Sequence, residues 1–217
     1  MLEEEYQPRR RLPPHLRAPE LEETPFAYEL RAAELGDLPG IREIYNHYVL
    51  NSSITFDDTP WTFPVLRKKF ENVTQRGLPF LVAQSPSGQL LGFAYVYPWN
   101  EKASHRFSVE NHIYLGPAST GKGLGKALMA ELIARSKAAG LKEMIAVIAD
   151  KNADASIRMH EGFGFKDVGH MGKVGYKFDR WLGSVMMQRS LRKYRSAAAS
   201  PRPRRRWPGR PARACAA

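Results

Sequence analysis

The sequence predicts an α/β fold, a mixed sheet covered by helices on both faces, and three observations predict it. Two apolar segments flank the turn Ser85-Pro86-Ser87-Gly88 and read as a β-hairpin. The stretch Glu110–Gly125, ENHIYLGPASTGKGLG, begins with strand-like alternation and ends in a glycine-rich turn that runs into an amphipathic helix. Lys142–Ala149, KEMIAVIA, is a continuous apolar run of the kind a strand buried on both faces requires.

Taken in order, residues 1–25 carry five prolines amid charges and read as an extended or disordered lead-in. Phe26–Arg31 alternates and forms a first strand. Asp37 is placed to cap a helix whose Ile41, Ile44, Tyr45, Tyr48 and Val49 fall on one stripe. Asn51–Trp61 is a loop, and Thr62–Gln75 a second helix with Pro64 in its first turn, where a missing N–H costs nothing. Pro79–Gln84 and Leu90–Tyr97 are the hairpin strands, ended by Pro98. Phe107–Leu115 is a long strand, Gly123–Ala139 a helix, Lys142–Ala149 the buried strand, and Asn152–Gly162 a short helix. A closing strand lies near Gly183–Arg189.

The glycine turn is a strand–loop–helix anion site. Glycine allows the backbone to approach a ligand closely and to take positive φ, and the helix that follows presents unpaired N–H groups and its positive dipole end. Three ligand classes use such a site. The run Gly116–Lys122 nearly spells G-x-x-x-x-G-K-[ST], but Gly123 has no hydroxyl for magnesium, which excludes a nucleotide-triphosphate loop. The dinucleotide pattern G-x-G-x-x-G is not met, since the glycines run G-x-G-x-G midway along the chain. The pattern R/Q-x-x-G-x-G/A remains, with Thr120 as a variant of its lead-in.

Composition bounds the rest. At 217 residues the chain fits one main domain. Nine of its eleven net positive charges come from Arg192–Ala217, which has no acid, so the part before it carries only +2. Residues 193–217, rich in Pro, Arg and Ala, read as a disordered basic tail. Nucleic acid or an acidic partner could bind only there. Cys215, the sole cysteine, also lies in the tail, which excludes an internal disulfide and argues against a thiol acyl-enzyme. No long apolar run and no leader pattern occur, so a soluble, cytoplasmic protein without membrane contact is expected.

The glycine loop Thr120–Gly125, the run N-x-x-S-x-x-x-H-E-x-F-G-F from Asn152 to Phe165 and the element order over residues 27–192 resemble the GNAT N-acetyltransferases. Within that family the chain is most similar to the phosphinothricin or methionine sulfoximine (sulfone) N-acetyltransferases. Asn46-His47-Tyr48, Phe56, Pro98-Trp99, Val109-Glu110-Asn111, Tyr114 and Asn152–Glu161 carry that likeness. The resemblance implies a GNAT domain over 26–192. Its sheet would be mixed and mostly antiparallel, with six to seven strands, about four helices and two strands parting at the cofactor site after residue 149. It also implies acetyl-CoA as cofactor, no metal, a small amino-acid-like acceptor and a homodimer. Cofactor contacts would come from Ile113, Tyr114, Leu115, Thr120, Gly121, Lys122, Gly123, Leu124, Gly125, Lys126, Asn152 and Ser156.

Acetyl transfer to an amine needs a neutral amine, a stabilised oxyanion and a proton for the leaving thiolate. Glu110, on the same strand face as Tyr114, is the candidate general base, unless it is merely a strand-end carboxylate. Tyr114 and Leu115 would present backbone N–H groups at the exposed strand edge. His160 stands where relatives carry a thiolate-protonating tyrosine and would also touch substrate, or it is structural. Asn152 bonds the pantetheine arm or caps its helix. Phe56 would wall the acceptor pocket, and Lys102, His105 and Arg106 would hold a carboxylate or phosphinate, unless they form a solvated basic loop. The leading reading is acetylation of the α-amine of an amino acid or analogue. A protein or peptide acceptor on the same fold and a nucleic-acid-binding tail are the alternatives.

Overall fold

The computed structural model describes residues 26–192. The expected lead-in 1–25, the basic tail 193–217 and Cys215 lie outside the described residues. Element order is β1 (Glu29–Ala32), α1 (Leu38–Asn51), α2 (Phe63–Gln75), β2 (Phe80–Gln84), β3 (Leu90–Pro98), β4 (Ser108–Leu115), α3 (Leu124–Ala138), β5 (Glu143–Ala149), α4 (Asp154–Gly162), β6 (Lys166–Lys177) and β7 (Arg180–Ser190). One seven-stranded sheet runs β1-β2-β3-β4-β5-β7-β6, antiparallel throughout except for the parallel pair β4–β5.

Strand alternation sends successive side chains to opposite faces, and two cores form as a result. Leu81, Ala83, Ala94, Val96 and Val109 pack with Leu124, Leu128, Met129 and Leu132 of α3. Phe80, Val82, Phe93 and Tyr95 pack with Ile41, Ile44, Tyr45 and Val49 of α1 and Leu66, Phe70 and Val73 of α2. Each fully buried Leu or Phe contributes about 1.5–3 kcal/mol. The stripe read from the sequence is therefore the buried face of α1.

Three expectations are corrected. Asp37 precedes α1 but does not cap it, because its carboxylate takes a two-pronged bond from Arg31, both at 2.7 Å, and the N–H of Glu34 at 2.8 Å. Asn152 does not cap α4 either. Ala153 occupies that position without a side-chain cap bond, and Asn152 sits just upstream at φ 60°. Finally, β6 was not anticipated: its residues are almost all exposed and its pairing with β7 slips twice, between Asp167 and Gly169 and between Met171 and Gly175. No alternation could survive such irregularity.

β6 nevertheless fixes the loop after α1. Lys177, its last residue, is buried and donates from Nζ to the carbonyls of Ser52 at 2.8 Å and Thr55 at 2.9 Å. A Cβ at Gly175 would clash with the Cδ1–Cε1 edge of the Phe56 ring, so only glycine leaves room for that ring as it stands. Among the described residues no helix is long and apolar enough to cross a membrane.

Candidate active site

β4 and β5 pair only over Ser108–Glu110 and Glu143–Ile145. β4 stays paired to β3 as far as Leu115, and β5 to β7 as far as Ala149, so the two strands diverge while each remains anchored on its other side. The parting starts at Ile145, earlier than the expected point after residue 149. A cavity of about 590 Å³ fills the gap, lined by Asn111–Leu115 of β4 and Ala146–Ala149 of β5 and running from the glycine turn to α4.

At one end of the cavity lie Thr120, Gly121, Gly123, Gly125 and Lys126. Gly121 and Gly123 have φ of +76° and +80°, and nothing stands within 4 Å of where a Cβ would be. Gly123 precedes α3 directly. Among the described residues no backbone N–H from Thr120 to Gly125 reaches a carbonyl; Lys126 N–H is the first, donating to Gly123. Several unpaired donors at the start of a 15-residue helix form an anion cradle. The hydroxyl of Thr120 turns back to the Pro117 carbonyl at 3.0 Å.

At the other end α4 supplies Ala155, Ser156, Met159 and His160, with Asn152 and Ala153 leading in. The His160 ring is 4% exposed, and burial pushes its pKa down while the Ser156 carbonyl pulls it up. Its Nδ1 lies 2.8 Å from that carbonyl, an acceptor only, so Nδ1 carries the proton. Nε2, 2.9 Å from Asn111 Nδ2, must then accept from the amide. That choice orients Asn111 and leaves its buried Oδ1 without a partner. A buried acceptor on the cavity wall fits a ligand that brings an N–H, and the cradle fits a pyrophosphate. Both belong to acetyl-CoA.

The α1/α2 face of β4 carries Glu110, His112 and Tyr114, each opposite an aromatic residue of β3: Tyr97, Tyr95 and Phe93. His112 stacks on Tyr95 at 4.5 Å and Tyr114 on Phe93 at 5.3 Å. Burial raises the pKa of Glu110, countered by the positive charge of Lys69. Burial pushes His112 down to about 3, with Lys69 adding to it. The imidazole is therefore neutral at ordinary pH, and its 3.7 Å approach to Glu110 Oε1 is no ion pair. His112 and Tyr114 line the cavity; Glu110 stands one step behind His112, at the point where the ladder ends.

The structure thus brings Ile113, Tyr114, Leu115, Thr120, Gly121, Gly123, Gly125, Lys126, Asn152, Ser156 and His160 to one cavity. Others go elsewhere. Lys122 turns its Nζ over the ring of Phe26, 4.7 Å from the centroid, and Leu124 is wholly buried in the α3 core. Phe56 is half-buried against Gly175 of β6 and does not line the cavity. Lys102, His105 and Arg106 form the short turn between β3 and β4, where Arg106 donates to Ala103 and lies over Phe107. None of those three reaches the cavity, because the turn needs their backbone and solvent takes their charges. His160 reaches it, yet both its nitrogens are engaged inside the protein, which removes the free proton that donation to a thiolate requires. His112 and Lys69 were missed, and Asn111 was read only as carrying the family likeness. Lys69 had a signal, since it lies three residues after Leu66 and four before Val73 on the inward stripe of α2.

Residues 41–165 match the acetyltransferase (GNAT) family. The phosphinothricin N-acetyltransferase of Alcaligenes faecalis is 36% identical over 165 residues, 76% of this chain and 83% of that protein. An L-methionine sulfoximine/L-methionine sulfone acetyltransferase of Pseudomonas aeruginosa is 40% identical over 168 residues, 77% of this chain and 97% of that one. A crystal structure of a GNAT superfamily phosphinothricin acetyltransferase from Sinorhizobium meliloti, in complex with acetyl-CoA, superposes with a TM-score of 0.73. It is 40% identical and covers 76% of this chain and 88% of that one. With family match, relatives and architecture in agreement, the chain belongs to the GNAT family of N-acetyltransferases.

Proposed function

We propose that this protein transfers the acetyl group of acetyl-CoA to the α-amine of a small free amino acid or analogue, of the phosphinothricin or methionine sulfoximine and sulfone kind. The observation that carries this reading is the parting of β4 and β5 at Glu110, which puts a ligand-sized cavity beside a half-buried carboxylate. The donor supplies an acetyl group activated as a thioester. The amides of Thr120–Gly125 bind its pyrophosphate, Lys126 adds charge at the same end, and the free edge of Ile113–Leu115 holds its pantetheine arm. Asn111 Oδ1, Asn152 and Ser156 offer polar contacts along that arm.

Glu110 acts as the general base. Its burial holds it above the ordinary glutamate range, nearer the working pH, where a base is most effective. Neutral His112 stands between it and the cavity, 3.7 Å from Oε1, and walls the path by which the proton of the acceptor amine reaches Glu110. His160 orients Asn111 and is a positioning residue. Tyr114 walls the acceptor side with Tyr45 edge-on at 5.0 Å.

A homodimer is supported by the apolar side chains exposed on and between β6 and β7: Val168, Met171, Val174, Tyr176, Phe178 and Trp181. Incubation with acetyl-CoA and a panel of amino acids, analogues and peptides, read by mass spectrometry, tests the function. Acetylated free amino acids are expected. Acetylation of peptides alone would replace the reading with a protein acceptor.

A further inference from the structure

Among the described residues, Lys69 is the cation whose charge acts on Glu110. Its Nζ lies 4.6 Å from the ring centroid of Tyr97, 5.0 Å from that of Trp61 and 5.5 Å from that of Tyr95. Tyr97 and Tyr95 are the β3 partners of Glu110 and His112, so the ammonium stands over the row that ends in the base. Its side chain is largely shielded, and burial lowers its pKa against the pull of Asp57 and Glu110.

What the ammonium lacks is an acceptor. Ring faces attract the charge but offer no lone pair to its three N–H donors. No carboxylate among the described residues lies within ion-pair distance of it. Asp57, whose charge also acts on Lys69, has its Oδ2 occupied by the Tyr45 hydroxyl at 2.6 Å and the Trp61 indole N–H at 2.9 Å. Trp61 is in turn fixed by stacking on Tyr45 at 3.6 Å and by its backbone N–H donating to Asn46 at 2.8 Å. Aromatic walls hold this cation in place, and its donors stay free.

We propose that Lys69 is the anion-binding residue of the acceptor subsite, taking the carboxylate of a small α-amino acid whose amine is turned toward Glu110 and His112. This rests on the function proposed above and adds the group that recognises the acid end. It moves the substrate-holding role from the turn of Lys102, His105 and Arg106 to α2: Lys69, like them, is not part of the cavity lining, but it stands over the Tyr97 and Tyr95 rings beside Glu110 and His112. A zwitterion suits the site, with its negative end at the ammonium and its positive end at the carboxylate that must deprotonate it.

Steady-state kinetics on methionine sulfone and on its carboxamide test the assignment, with wild type, Lys69→Met and Lys69→Arg. Wild type is expected to prefer the acid, and Lys69→Met to raise KM for the acid about ten- to a hundredfold, the loss of one charged hydrogen bond. KM for the carboxamide should stay within about twofold, a difference small against the tenfold that one such bond is worth. Lys69→Arg should recover most of the preference. Equal effects on acid and amide, or no effect on either, would overturn the Lys69 role. So would a wild-type preference near one, which needs no variant to fold. Wild-type protein that acetylates neither compound would instead overturn the proposed function, and the two failures are distinguishable.

Discussion

At the scale of single residues, the proposed mechanism separates groups that would touch a ligand from groups that would aim them. Glu110→Gln is expected to lower kcat by about 10²–10⁴ while leaving donor affinity nearly unchanged, as measured by steady-state kinetics and calorimetry. The acid limb of the wild-type kcat/KM profile should lie above the ordinary glutamate range, because the base works only when deprotonated and burial raises its pKa. The same shift has a stability sign. The folded state holds the Glu110 proton more tightly than the unfolded chain, so this residue's contribution is most favourable below the unfolded pKa and is lost as pH rises through the raised one. Thermal melts of Glu110→Gln should lack that slope. His160→Ala should cost about 1–3 kcal/mol, since it strips the buried Asn111 amide of its partner. The basic limb of the rate profile should stay where it was; its disappearance would restore His160 as the proton donor. Among residues, the meeting of the glycine loop with Asn152, Ser156 and His160 at one cavity was legible because their types and spacing are local. Lys69 was harder to read: its spacing from Leu66 and Val73 puts it on the inward stripe of α2, but the run Arg67-Lys68-Lys69 looks like a solvated face until the rings of Trp61, Tyr95 and Tyr97 come together around it.

At the scale of elements, helices and central strands were legible to within a residue or two, because α1, α2, β2, β3 and β5 bury regular stripes. Only β6 escaped. Its glycines and charges carry no period, and it exists because β7 pairs with it. That strand has a task all the same, holding the loop that follows α1. Lys177→Met should remove the bonds to Ser52 and Thr55 and leave two buried carbonyls unsatisfied, a loss of about 1–3 kcal/mol. Faster proteolysis or hydrogen exchange across residues 52–57 checks this. Gly175→Ala should displace the Phe56 ring and loosen the same loop, with faster hydrogen exchange across the same residues.

At the scale of the whole molecule, every residue assigned to the site falls within 26–192, so a protein ending at Arg192 is expected to retain its acetylation rate. Any salt-sensitive retention on nucleic acid should vanish with residues 193–217. Sedimentation should report a dimer that Phe178→Asp together with Trp181→Asp converts to monomer. The sheet itself consists of two slabs, β1 to β4 and β5 with β7 and β6, joined by only three rungs at Ser108–Glu110 and otherwise propped by the helices packed on them. A donor lodged in the wedge would replace the missing rungs with its own amides, acting as an eighth strand that comes and goes with turnover. Melting temperature should therefore climb with donor concentration, by about 2.7 kcal/mol of added stability at a hundred times Kd. Amide exchange should slow along 111–115 and 146–149 together, as if the seam had been stitched shut.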